Sequence, residues 1–166
     1  NKVLVIAGYE HGAVMLEVKK QADGSYAATE LFMHNDFGDQ TKPPIMHNGY
    51  FYAQFGTNRR HDGLTCMNMD GKIMWQTKLD PDFNKGSMIL ADGLILATDG
   101  ARTLYLIEPD PAAYKPLASA ELLGEKVGDE RMSRMFASQN WAPIALSDGK
   151  LLIRDQSQLK CVKVVK

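Results

Sequence analysis

The sequence predicts an all-β fold: a β-propeller of four-stranded antiparallel blades, with about four blades present and the first and last incomplete. Three observations predict it. Asp-Gly pairs punctuate the chain at Asp23-Gly24, Asp62-Gly63, Asp70-Gly71, Asp92-Gly93, Asp99-Gly100 and Asp148-Gly149, and such pairs between alternating runs mark hairpins because a type I′ turn needs positive φ at both central residues. The runs between them are short and alternate apolar with polar, the period of a strand. One unit also recurs: a turn ending in Gly, an apolar strand, a polar loop, and a strand opening on Leu or Val. Its anchoring glycines, Gly49, Gly93 and Gly149, lie 44 and 56 residues apart, the length of four short strands in a blade.

Taken in order, Lys2–Ala7, Ala13–Val18 and Ala28–Phe32 read as the second, third and fourth strands of a first blade. Ile45-Met46, Tyr50–Phe55, Leu64–Met69 and Ile73–Leu79 supply the next. Ser87–Leu90, Leu94–Thr98, Leu104–Glu108 and Leu117–Leu122 supply the third. Trp141–Leu146, Lys150–Arg154 and Leu159–Lys163 begin a last blade that lacks a fourth strand. The blades span roughly 1–34, 35–80, 81–124 and 137–166, and the two complete ones run Pro43–Leu79 and Lys85–Leu122. The connection 124–140 is polar and charged, with Met132, Met135 and Phe136 at helical spacing, which predicts one short helix across the propeller face. The hairpin Leu64–Trp75 is the fullest copy of the unit, with a type I′ turn expected at Asp70-Gly71.

With 166 residues, 45% of them apolar, the chain can form one domain-sized core. A net charge of −1 with mixed signs gives no electrostatic case for nucleic acid. The longest apolar runs, Val3–Ala7 and Leu94–Ala97, are far short of a membrane span. Asn1 leads directly into Val3-Leu4-Val5-Ile6, so further chain upstream is expected. Open first and last blades would expose strand edges, and the expected partners are upstream blades or a second copy closing those edges, with a protein or carbohydrate as ligand.

No catalytic signature stands out. The four histidines, His11, His34, His47 and His61, fall in separate repeats without an i, i+2 or i, i+4 partner, the wrong spacing for a metal site. Asn68-x-Asp70-Gly71 matches part of an EF-hand loop, but its first ligand position would be Cys66 and its last Thr77, so it reads as a turn. Neither a Gly-x-Ser-x-Gly elbow nor a phosphate-binding Gly loop occurs. Cys66 and Cys161 sit at equivalent places in two repeats and read as two buried thiols rather than a bonded pair. The candidate ligand-face residues are Arg59, Arg60 and His61 in one loop between second and third strands, Arg102 in another, and Arg154 and Asp155 in the last. Gly71, Trp75 and Trp141 are the expected blade-docking residues, a buried tryptophan ring being a large anchor. Arg154 and Asp155 are expected to form an ion pair.

The tail Leu64-Thr65-Cys66-Met67-Asn68…Gly71-Lys72-Ile73-Met74-Trp75 and the ending Trp141-Ala142-Pro143…Asp148-Gly149-Lys150…Leu159-Lys160-Cys161 resemble the pyrroloquinoline-quinone-type repeat propellers of the quinoprotein alcohol dehydrogenase-like group, and in particular the C-terminal blades of a bacterial member. The resemblance covers the blade rhythm of the whole chain, although the full tail motif occurs once. It implies blade docking through Gly71 and Trp75, a periplasmic or extracellular location, and a non-catalytic binding or scaffold role without a cofactor. Its alternative implication is a fragment of a dehydrogenase of alcohols or sugars that uses pyrroloquinoline quinone and Ca²⁺. The adjacent-cysteine ring of many catalytic members has no counterpart here.

Overall fold

A computed structural model describes residues 1–9, 11–56, 61–124 and 140–164. These residues form four antiparallel sheets. Sheet I orders β1 (Lys2–Ala7), β2 (Gly12–Lys20) and β3 (Tyr26–His34). Sheet II orders β4 (Ile45–His47), β5 (Tyr50–Gly56), β6 (His61–Asn68) and β7 (Ile73–Gln76). Sheet III orders β8 (Met88–Ala91), β9 (Leu94–Thr98), β10 (Thr103–Glu108) and β11 (Lys115–Glu121), and sheet IV orders β12 (Ala145–Ser147), β13 (Lys150–Arg154) and β14 (Leu159–Lys163). The fold is thus all-β, with two sheets of four strands and two of three. The helix expected around Met132, Met135 and Phe136 lies outside the described residues, and among those described no helix is long and apolar enough to cross a membrane.

Turn chemistry explains the pairing. At Asn48-Gly49, Asp92-Gly93 and Asp148-Gly149 both residues have positive φ, 48° and 82°, 49° and 76°, 49° and 67°. These are type I′ turns, whose twist matches that of the strands they join. Asp70-Gly71 differs from expectation: only Gly71 has positive φ, at 84°. Here the Gly71 N–H donates to the Asn68 carbonyl, and the Asn68 N–H to the Lys72 carbonyl. The Asn68 side chain accepts from Asp70 N at 3.0 Å and Lys72 N at 2.9 Å. That is a longer, bulged hairpin in which an Asx cap replaces one left-handed residue. The first strand of sheet IV is also shorter than expected, because Pro143 lacks the N–H that a ladder needs.

Strands alternate, and the alternation places successive sheets face to face in chain order. Ala13 and Met15 of sheet I, with Leu4, Ile6 and Phe32, pack against Phe51, Ala53 and Met67 of sheet II. Tyr52, Leu64 and Cys66 on the other face of sheet II pack against Ile95, Ala97 and Ile107 of sheet III. Leu96 and Leu104 on the far face of sheet III meet Leu151 and Ile153 of sheet IV. Each large side chain fully buried in this way contributes about 1.5–3 kcal/mol. The exposed pair Lys115–Glu108, 2.7 Å apart, belongs to a class worth under about 1 kcal/mol. Face-to-face burial therefore holds the sheets in order.

Antiparallel connectivity also sorts the loops. Hairpin turns between first and second strands, and between third and fourth, fall at one end of every sheet. Loops between second and third strands share the opposite end with the connections that run from one sheet to the next.

Candidate functional site

At the second of those ends the connections leading into sheets II, III and IV meet. Lys42 lies just before β4, Lys85 just before β8 and Trp141 just before β12, so three connections deliver three side chains to one region. The Lys42 ammonium donates to the Trp141 carbonyl at 2.9 Å. The Lys85 ammonium lies 5.0 Å from the centre of the Trp141 ring, within cation–π range. Asn140, Trp141, Ala142, Arg154, Asp155 and Gln156 line an open pocket of about 70 Å³. Asn140 is itself anchored to sheet III: its N–H donates to Gly100 O at 2.8 Å and its side-chain amide to Ala101 O.

The expected site residues are placed as follows. Trp141, Arg154 and Asp155 come together at this pocket. Trp141 is 37% exposed, in contrast to a buried docking ring, because the segment entering the short β12 leaves it outside the face-to-face core. Asp155 and Arg154 form no ion pair with each other. They are consecutive at the end of a strand, where side chains take opposite faces. Asp155 instead caps its loop. One oxygen accepts from Ser157 N at 2.8 Å and Gln158 N at 2.9 Å, and the other from Gly124 N and Gln158 Nε2, both at 2.9 Å. Burial alone would raise its pKa, but the Gln158 amide and the Ser157, Gly124 and Gln158 N–H groups outweigh it and hold the carboxyl well below the usual range. Asp99 caps the matching loop of sheet III through Ala101 N at 2.7 Å and Thr103 N at 3.1 Å.

His61 starts β6 and pairs with Asp82, Nδ1 to Oδ2 at 3.0 Å. Arg59 and Arg60 lie outside the described residues. Arg102 is exposed; its carbonyl accepts from Leu122 and Leu123 N–H at 3.0 Å, so its backbone ties the end of sheet III together. Trp75 bridges sheets II and III. Its Nε1–H donates to Asp110 O at 2.8 Å, and its ring lies 6.0 Å from both Tyr52 and Tyr114. Gly71 sits against Phe32 of sheet I, where an added Cβ would fall 2.9 Å from the ring. Cys66 is buried and Cys161 exposed, and the two are unbonded. The expectation of two buried thiols thus fails for Cys161, because no sheet among the described residues covers that face of sheet IV.

The described residues line the pocket with a guanidinium, a carboxylate, two amides and an indole, and the Lys42 and Lys85 ammonium groups lie beside Trp141. Burial pushes the Cys66 thiol up to about 11 despite the Tyr52 hydrogen bond that lowers it, and it lies in the core between sheets II and III. The donor set does not fit a Ca²⁺–quinone centre: Ca²⁺ takes six to eight oxygens, Asp155 already receives N–H donors on both oxygens, and the flanking charges are ammonium and guanidinium. Among the described residues no three His, Cys, Asp or Glu side chains cluster for a metal. Lys42, Lys85, Asn140 and Gln156 escaped the sequence reading. The signal that could find Lys42 and Lys85 is their place just ahead of each first strand. No family model and no curated protein matches the chain.

Proposed function

We propose that the chain is a segment of a β-propeller of the quinoprotein-like repeat class, that it binds rather than catalyses, and that it belongs to a larger envelope or secreted protein. The order of the sheets and the shared end of their loops support the propeller reading. The observation that carries the binding function is Trp141 beside Lys42 and Lys85, from the connections into sheets II and III, and Arg154 of sheet IV. An indole takes the C–H face of a sugar, and ammonium and guanidinium groups take a carboxylate. The ligand class is therefore an acidic saccharide.

Titrating the chain with trigalacturonate, and with maltotriose as the neutral control, tests this by tryptophan fluorescence. The expected result is saturable quenching by the acidic trisaccharide alone, weakened about tenfold or more in Arg154→Ala, the cost of one charge-assisted hydrogen bond of about 1.5–3 kcal/mol. Equal response to both sugars, or to neither, refutes the ligand class. Tight binding of pyrroloquinoline quinone with Ca²⁺ and dye reduction by an alcohol refutes the non-catalytic reading.

A further inference from the structure

The pocket beside Trp141 has a counterpart in sheet III, and there it is closed. Its lining residues, 140–142 and 154–156, lie 56 residues beyond 84–86 and 98–100, the spacing of the turn glycines Gly93 and Gly149. In sheet III the entering segment lies directly on the loop between second and third strands. The Asn84 N–H donates to Asp99 O and the Thr98 N–H to Ser87 O, both at 2.9 Å. The Ser87 N–H donates to the Thr98 hydroxyl, also at 2.9 Å. Two glycines permit this approach of backbone to backbone. A Cβ on Gly86 would fall 1.8 Å from Thr98 O, and one on Gly100 would fall 1.9 Å from Asn84 O. No side chain fits at either place.

Sheet IV carries side chains at both positions. Ala142 matches Gly86, and Gln156 matches Gly100. Pro143 matches Ser87 and lacks the N–H that Ser87 donates. The entering segment therefore stands off its own loop and is gripped from other sheets. The Asn140 N–H donates to Gly100 O of sheet III at 2.8 Å and its side-chain amide to Ala101 O, whereas the matching Asn84 N–H bonds within its own sheet. The Ile144 N–H donates to the Ser87 hydroxyl at 3.2 Å, and the Trp141 carbonyl accepts from Lys42. Strand pairing shows the same gap. First and second strands pair from Met88 onward in sheet III but from Ala145 onward in sheet IV, one place later in the repeat. The pocket is thus set by residues 142, 143 and 156 within sheet IV.

Its volume of about 70 Å³ holds roughly five to seven water-sized groups at about 10–15 Å³ each. That admits a carboxylate and excludes a sugar ring with its hydroxyl groups. Arg154 lines the cleft, and a guanidinium takes a carboxylate through two parallel bonds. Asp155 lines it too, with both oxygens already accepting N–H groups of its own loop and of Gly124. We infer that the cleft receives the carboxylate of a single uronate residue, whose ring stays outside against Trp141, and that Ala142 and Gln156 determine this specificity by holding the cleft open. The inference rests on the acidic-saccharide reading and narrows it, since one residue of the saccharide carries the contact.

Calorimetric titration with galacturonate, its methyl ester and trigalacturonate tests this without relying on Trp141 emission. Galacturonate is expected to bind nearly as well as trigalacturonate, and its methyl ester about tenfold or more weakly, the loss of a charge-assisted bond. Ala142→Leu fills the cleft, and Ala142→Gly with Gln156→Gly restores the glycine pair that closes it in sheet III. Each is expected to weaken galacturonate binding about tenfold or more, with an unchanged far-ultraviolet spectrum. Undiminished binding in either folded variant, or binding that requires the trisaccharide, overturns the cleft and leaves the acidic-saccharide reading standing. No binding of trigalacturonate to the parent chain overturns that reading and the cleft with it.

Discussion

Replacing Gln54 by Leu tests whether polar bridges as well as apolar faces hold neighbouring sheets in order. Gln54 lies in β5 and is buried. Its Nε2 donates to Thr98 O at 2.8 Å and its Oε1 accepts from Gly86 N at 2.7 Å. One amide therefore serves two buried backbone groups of sheet III and its approach, 44 and 32 residues away in the chain. Leucine keeps most of the volume, so the cavity cost is small. It strands a buried carbonyl and a buried N–H, each costing about 1–3 kcal/mol, with about 1 kcal/mol returned by the extra apolar burial. The expected net loss is about 1–5 kcal/mol, a fall in Tm of roughly 3–15 °C at about 3 °C per kcal/mol for a chain of this size. Urea unfolding followed by tryptophan fluorescence measures it. Gln76→Leu is the control: its amide makes contacts of 3.5 Å and 3.4 Å only, and the expected cost is below about 0.5 kcal/mol. Equal losses in the two variants, or a loss under about 0.5 kcal/mol for Gln54→Leu, would refute the bridge.

Gly71→Ala and Gly24→Ala separate backbone strain from sheet contact. Both glycines have left-handed φ, 84° and 87°, but only Gly71 faces a neighbour, the Phe32 ring. Each substitution costs about 1–2 kcal/mol in strain, and Gly71→Ala is expected to cost about 1 kcal/mol more, read as the difference in urea midpoint; equal midpoints would remove the Phe32 contact from the argument. Asp155→Asn tests the loop cap. The folded carboxyl titrates below its unfolded value, so its stabilisation is complete above about pH 4 and is lost as pH falls through the lowered folded pKa. The variant is therefore expected to be less stable by about 2–3 kcal/mol at pH 7, since an amide N–H would face N–H donors, with the gap narrowing below pH 4; a gap independent of pH between 7 and 2 would show that charge is not what the cap uses.

The strand plan was legible because a turn glycine and two-residue alternation are local. Asn48-Gly49, Asp92-Gly93 and Asp148-Gly149 each specify a hairpin through backbone angles that few other residues adopt. The bulged form at Asp70-Gly71 was less legible, since it depends on where the Asn68 side chain turns. The gathering of Lys42, Lys85 and Trp141 depends on which connections share an end. That follows from the order of strands in the sheets and not from spacing along the chain. Gln54 looks like any polar residue in a strand until its partner sheet is in place.

Burial at the chain's two ends was the least legible property, for a reason the repeat makes plain. Leu64-Thr65-Cys66-Met67 and Leu159-Lys160-Cys161-Val162 carry the same apolar alternation in the same strand of two repeats. Leu64 is completely buried and Leu159 is two-thirds exposed. Nothing in the four residues encodes the difference. A strand's pattern states which face wants cover, and the next sheet decides whether it gets it. An apolar residue exposed in one repeat and buried in its equivalent, as Leu159 is beside Leu64, therefore owes its exposure to its neighbours and not to its own strand.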